Sequence, residues 1–355
     1  MDMWACATVH TILDNAPKGD WLQMMRESHI DGFMVLSYDV TEDIPMEKIA
    51  AVKDILDEEG FGMMGIGIPV GHPAGLDTPH FTFHEGWHTR RDIHNQPVCW
   101  TNAITPQLIA DATKYMEDLR EIGIRTMFWD DDLRQGEYEG DVQGCFCDEC
   151  LAEFAEKNKD VLPTGFSRDS LRGVVAKDPV GLNEEQMALR EAWMQFNCDR
   201  VTDFMVKTTI EGMQGGIMVM HKGDRRHGID VPAIAKAVPD CLFRVGELMF
   251  DDAAFEAPAN KRALVEGVLK HMALMGDVSK IYSESTVFPH GALTPENLRR
   301  KIMLERQCGL EHINLMGVER MNDVAYYHML RDNYERFAET QKEFTLDNLH
   351  TVESV

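Results

Sequence analysis

Two sets of residues in this chain have the types and spacing to do chemistry. The first is Cys145-Phe-Cys147-Asp-Glu-Cys150, a C-x-C-x-x-C run, with Cys99 upstream as a fourth thiol. Thiolates this closely spaced converge on one ion without strain, and a structural zinc takes four tetrahedral ligands. A site of four thiolates has no open position, so its zinc would shape the protein rather than react. An iron–sulfur cluster is the alternative metal reading, and unliganded loop thiols the alternative without a metal. The other four cysteines, Cys6, Cys198, Cys241 and Cys308, stand alone and read as small buried hydrophobes.

The second set is acidic. Phe128-Trp-Asp-Asp-Asp132-Leu-Arg134 and Lys280-Ile-Tyr-Ser-Glu284 each carry carboxylates at the end of a short apolar run. Cleaving a glycosidic bond takes two carboxyl groups flanking it. One delivers a proton to the leaving oxygen and the other attacks or activates water. The same residues allow a different chemistry. Period-two alternation sends Asp130 and Asp132 to one side and Asp131 to the other. Two carboxylates on one face, with Glu284 and His221 nearby, could hold Mg2+ or Mn2+ for an isomerase or lyase.

Either chemistry needs a scaffold that brings distant segments together, and the hydrophobic pattern predicts one. Short apolar runs fall at Trp4–Leu13, Gly32–Tyr38, Gly62–Pro69, Thr126–Asp131, Gly216–Met220, Phe243–Met249, Lys280–Glu284 and His312–Met316. Stretches of helical period lie between them, at Met46–Glu59, Pro106–Ile122, Asn183–Glu211, Lys261–Met275, Pro295–Gln307 and Ala325–Phe344. Such alternation argues for parallel βαβ units, and eight of them predict a closed (β/α)8 TIM barrel rather than a doubly wound sheet. Thr105-Pro106 and Thr294-Pro295 carry the hydroxyl-then-proline signature of a helix start. The connections 71–105 and 133–182 are too long for plain βα loops. Both leave the C-terminal face, where the active sites of such barrels are built. The barrel is predicted to occupy 1–345 as a single catalytic domain, with 346–355 a flexible tail.

Charge narrows the partners. Thirty-five basic residues against 60 acidic ones leave a formal charge of −25, which repels nucleic acid and anionic membrane surfaces. A neutral carbohydrate needs no basic pocket to overcome that field. No window approaches the ~18 apolar residues of a membrane span, and no basic stretch precedes an apolar run at the N-terminus. The chain is therefore expected in the cytoplasm, where disulfides are not kept.

Arg90-Arg91, Cys99-Trp-Thr-Asn102, a strand ending in acidic residues and Gly144-Cys-Phe-Cys-Asp-Glu-Cys-Leu-Ala-Glu-Phe154 follow one another here. Together they resemble the zinc-bearing barrel of family 42 glycoside hydrolases, the β-galactosidases of the 4/7 clan. Outside 90–154 the likeness is the barrel pattern alone. The resemblance implies Cys99, Cys145, Cys147 and Cys150 as zinc ligands, an acid/base at the end of the fourth strand and a nucleophile at the end of the seventh. Glu284 takes the nucleophile's place, Asp132 that of the acid/base, and Asp131 that of an asparagine that meets the sugar 2-hydroxyl. The clan has Asn-Glu where this chain has Asp131-Asp132, and aspartate is one methylene shorter. That widens the gap between carboxyls: about 5.5 Å suits retention of configuration, about 6.5–9.5 Å inversion through an interposed water. Glu137 and Glu139 are further candidate acids. Family members carry later domains that help them trimerise; this chain is taken up by the barrel, so a homo-oligomer is allowed without being implied.

Polar residues at strand ends, His10, His72, His221-Lys222 and Glu247, read as substrate contacts, because barrel stability does not require them. Trp100, Asn102, Trp129 and Arg134 join them: an aromatic face stacks on a pyranose ring while polar groups reach its hydroxyls. His290, in Phe288-Pro-His290-Gly, orders the loop behind Glu284. His80, His84 and His88 recur every four residues, but Pro79, Gly86 and the aromatics between them argue for a loop rather than a metal-binding helix face. Each of these side chains also has a bland reading as solvated or satisfied. The expected activity is hydrolysis of a glycosidic bond. A metal-assisted sugar isomerase or lyase, and a non-catalytic carbohydrate-binding barrel, are the alternatives on the same frame.

Overall fold

The computed structural model describes residues 1–39, 44–71, 86–130, 133–135, 142–175, 179–220, 225–246, 249–287, 291–321 and 323–354. The side chains of Asp39, Cys99, Trp100, Met220, Thr286, Arg320, Glu353 and Ser354 are not among the described parts. The strands are β1 (Asp2–Thr8), β2 (Gly32–Asp39), β3 (Gly62–Ile68), β4 (Thr89–Arg91), β5 (Pro97–Asn102), β6 (Thr126–Trp129), β7 (Gln214–Met220), β8 (Leu242–Gly246), β9 (Ile281–Thr286) and β10 (His312–Met316). Eight of them close into a barrel in the order β1-β10-β9-β8-β7-β6-β3-β2, every pair parallel, while β4 and β5 form a separate antiparallel hairpin. The fold is a (β/α)8 TIM barrel, and each of the eight predicted runs overlaps one of its strands.

The helices are α1 (Val9–Asn15), α2 (Asp20–Glu27), α3 (Met46–Glu58), α4 (Pro106–Glu121), α5 (Asp148–Lys157), α6 (Arg168–Arg172), α7 (Glu184–Thr208), α8 (Val231–Ala237), α9 (Asp252–Glu256), α10 (Pro258–Met275), α11 (Pro295–Cys308) and α12 (Val324–Glu339). None is long and apolar enough to cross a membrane. The predicted caps form: the Thr105 hydroxyl accepts from the Leu108 amide and the Thr294 hydroxyl from the Asn297 amide. The first apolar run is shorter as a strand than its hydrophobicity suggests. Thr8 ends it by accepting from the Thr11 amide at 3.0 Å, which starts α1 and places His10 in the first helical turn.

Strand alternation sorts the barrel's side chains into two layers. Cys6, Met34, Phe128, Leu242 and Tyr282 fill the interior, while Ala5, Ala7, Met127, Phe243, Val245 and Leu315 pack outward against the helices. The long connection after β6 builds a further core of its own. Phe146, Phe154 and Phe196 surround Trp193 on α7, at ring separations of 4.8, 5.0 and 5.6 Å, and the indole N–H donates to the Gln143 carbonyl. The first half of α7 thus holds the loop after β6, and its second half, through Val201, Phe204 and Met205, holds the barrel.

The C-terminal segment corrects an expectation. Residues 346–355 were predicted to be a flexible tail, but Leu349 and Val352 are buried in the main core and a 3-10 helix, Leu349–Ser354, packs on α10. Their spacing of three residues puts both on one side of that turn. Glu343 and Phe344, just upstream, donate their amides to the Gln307 carbonyl, which leads the chain to that seat.

At the barrel's N-terminal end Asp2 of β1 pairs in register with His312 of β10, and the imidazole Nδ1 lies 2.5 Å from the carboxylate. Burial alone would lower His312, yet the hydrogen bond and charge of Asp2 raise it above its ordinary 6.5. Burial pushes Asp2 up, but the bond and charge of His312 bring it below its usual value. Since His312 is raised in the folded state, its contribution is complete below 6.5 and is lost as pH rises through the folded value. We expect the urea midpoint to fall as pH rises above 6.5 and through the folded value, by about 0.5–1 kcal/mol of stability for this partly exposed pair. His312→Gln should remove that fall; an unchanged pH dependence would show that the pair is energetically silent.

Candidate active site

The interior positions nearest the C-terminal ends of β6, β8 and β9 carry charge. Asp130 directly follows β6, Arg244 lies within β8 and Glu284 within β9; all three are buried, Arg244 being 1% exposed. The Arg244 guanidinium bonds the Asp130 carboxylate and stands 3.8 Å from Glu284 Oε1. One buried cation therefore bridges carboxylates from the fourth and seventh barrel strands. Its Nη1 points at sulfur, toward Cys6 Sγ at 3.7 Å and Met316 Sδ at 3.6 Å. Burial pushes the Cys6 thiol up to about 12, so it packs there as a neutral group.

The strands are shaped to allow this. Gly246 pairs in register with Glu284, and a Cβ there would lie 2.8 Å from Glu284 Oε2 and 2.2 Å from the Met218 methyl. Only glycine leaves room for the carboxylate beside β8. On the outer side of β9, the Ser285 hydroxyl donates to both oxygens of the fully buried Glu305 on α11, at 2.9 and 2.8 Å. Ser283 Oγ accepts from the Asn314 amide of β10. Both neighbours of Glu284 are thereby anchored.

Of the residues singled out in the sequence, Glu284 lies inside the barrel at its C-terminal end. Trp129 does not. It follows Phe128 and precedes Asp130, both interior, so alternation turns its indole outward. There it is fully buried against Phe204 of α7, donates to Thr208 Oγ1 at 3.1 Å and lies over Gly67, whose missing Cβ makes space for the ring. It is a core residue and cannot stack on a sugar in the mouth. Asn102, at the end of β5, donates Nδ2 to the Pro69 carbonyl and is fully buried; its Oδ1 has no partner among the described residues. Arg134 is buried in the loop after β6, and His10 is half-buried on α1. Asp131, Asp132, Glu137, Glu139, His72, His80, His84, His221, Lys222, Glu247 and His290 lie outside the described residues, as do the side chains of Cys99 and Trp100.

The cysteine cluster assembles beside this mouth. Cys145, Cys147 and Cys150 are buried together around Ala103, and Cys147 caps α5 by accepting from the Cys150 amide. His88 joins them, with its Nε2 3.7 Å from Cys147 Sγ. Arg200 of α7 donates to Cys150 Sγ at 2.8 Å and also bonds the Ile104 carbonyl. Hydrogen bonds from Cys145 and then Cys150 pull Cys147 well below the usual thiol range, while bonds with Cys145 and then Cys147 push Cys150 up. Bonds to Cys145 and Cys147 raise His88 to about 10. Thiols and an imidazole converging on one point form the donor set that zinc prefers, so the residues present fit the metal.

Sequence reasoning missed Arg244, and it set His88 aside as a metal ligand. Arg244 in Leu-Phe-Arg-Val-Gly has the parity of the interior Leu242, a signal available only once the strand's facing is known. His88 was visible in the spacing of His80, His84 and His88, but nothing in that spacing tied it to the cysteine run some sixty positions on.

No protein-family model matches the chain, and no curated protein matches it. Among solved structures it is similar to the PgaB (BpsB) glycoside hydrolase domain from Bordetella bronchiseptica. The two are 13% identical over 93% of this chain and 98% of that one, with a TM-score of 0.61. It is also similar to a beta-galactosidase from Rahnella sp. R3, at 13% identity and a TM-score of 0.67. That match covers 96% of this chain but 56% of the other, so this chain spans little more than half of that enzyme. At this identity the likeness establishes the barrel fold.

Proposed function

We propose that this chain is a glycoside hydrolase that cleaves its substrate between carboxylates at the ends of the fourth and seventh barrel strands. The observation that carries the reading is the buried bridge from Asp130 through Arg244 to Glu284. It brings the two strand ends together across the interior and surrounds Glu284 with a fixed positive charge. An adjacent cation favours the charged carboxylate, the form that can attack the anomeric carbon or take a proton from water. Glu284 is the nucleophile or base in this reading. Asp132 delivers the proton to the leaving oxygen, with Asp131 beside it, and Asn102, Trp100, Arg134, His10, His221, Lys222, Glu247 and His290 supply the sugar contacts. The cluster of Cys99, Cys145, Cys147 and Cys150 holds a structural zinc that ties the loop after β3 to the loop after β6. The likeness to glycoside hydrolase barrels agrees with this choice among barrel chemistries.

The divalent-cation reading required Asp130 as one of two ligands on the same face. Arg244 occupies that carboxylate, which weighs against it. A panel of aryl glycosides with and without a brief EDTA exposure separates the two readings, zinc content being checked after the exposure. Cleavage that persists in EDTA supports the hydrolase. Failure on the whole panel, with turnover of free sugars that depends on added Mg2+ or Mn2+, would overturn it.

A further inference from the structure

We propose that His88 is itself a ligand of the metal, coordinating through Nε2, so that one of the cluster's four thiols stands outside the sphere. This deepens the zinc reading and is independent of the hydrolase assignment.

Three observations carry it. His88 Nε2, Cys145 Sγ and Cys147 Sγ all lie within 4.8 Å of one another, and the His88–Cys147 separation is 3.7 Å. Two ligands at tetrahedral angles on one zinc, with Zn–S of about 2.3 Å and Zn–N of about 2.0–2.1 Å, are about 3.6 Å apart. The pair is therefore spaced as two ligands of one ion are. Second, the His88 backbone is anchored beside the thiols: the Ala103 amide donates to the His88 carbonyl at 2.9 Å, and Ala103 packs among Cys145, Cys147 and Cys150. Third, the charge balances. Zinc with three thiolates and a neutral imidazole carries one negative charge, whereas four thiolates would leave two. The Arg200 guanidinium, bonded to Cys150 Sγ, brings one positive charge to this buried place.

His88 immediately precedes β4, so coordination by it would fasten the start of the β4–β5 hairpin to the N-terminus of α5. The metal would then brace both long loops that rim the barrel mouth.

X-ray absorption at the zinc edge of the purified, zinc-loaded protein tests this directly. The expected shell is one nitrogen at about 2.0–2.1 Å with three sulfurs at about 2.3 Å. In His88→Ala the nitrogen contribution from imidazole should vanish and zinc affinity should drop at least about 100-fold, beyond the usual effect of an outer-shell partner. His88→Cys should restore tight binding with a fourth sulfur. A shell of four sulfurs in the unaltered protein would overturn the proposal even if no variant folds. So would a His88→Ala protein with the same shell as its parent.

Discussion

Replacing Glu284 with glutamine is expected to lower glycosidase activity by about 10^2- to 10^4-fold, the range that positioned acid–base groups supply. The amide keeps the volume and one acceptor but loses the charge and the ability to attack or to take a proton. Glutamine fits the space that Gly246 leaves beside β8, so the variant should keep its place in the barrel. Activity is measured on whichever aryl glycoside the parent cleaves, with the thermal midpoint as a control for folding. Undiminished turnover in Glu284→Gln would remove the strand-seven carboxylate from the reaction. The parent's own stereochemistry divides nucleophile from base: the product should keep the substrate's anomeric configuration if Glu284 forms a covalent bond and invert it if Glu284 activates water. With Glu284→Gly, added azide should restore cleavage of an activated glycoside and yield a glycosyl azide of inverted configuration if Glu284 normally forms the covalent bond. An azide adduct of retained configuration would instead mark the lost group as the acid/base of a retaining enzyme.

Arg244→Met should be the most damaging single change to stability, costing about 3–5 kcal/mol. The guanidinium is 1% exposed, and its removal leaves the Asp130 carboxylate buried without the cation it bonds, with Glu284 nearby. The methionine suits the sulfur surroundings of Cys6 and Met316, so lost packing is a small part of the cost. The double variant Asp130→Asn with Arg244→Met should recover part of the loss, because both charges go together. Denaturant unfolding of the four proteins gives the coupling. A loss below about 1 kcal/mol for Arg244→Met would mean that the bridge contributes little and that Asp130 is satisfied by other groups.

What could be read in the sequence was what neighbouring residues encode among themselves. Eight apolar runs and their helical partners fixed the barrel, because strand and helix periods are properties of a few consecutive side chains. The threonines before Pro106 and Pro295 announced their helices for the same reason. Cys145, Cys147 and Cys150 were legible as a cluster because their convergence needs a single turn of chain. The facing of Trp129 was the local misreading: its place beside three aspartates suggested the mouth, while strand parity sends it to the helices. Tertiary structure alone decided the rest. Arg244 meets Asp130 across 114 positions of chain, and His88 meets Cys147 across 59. Such encounters depend on strand register and barrel closure, in which every strand constrains every other, and no short window of sequence contains that information.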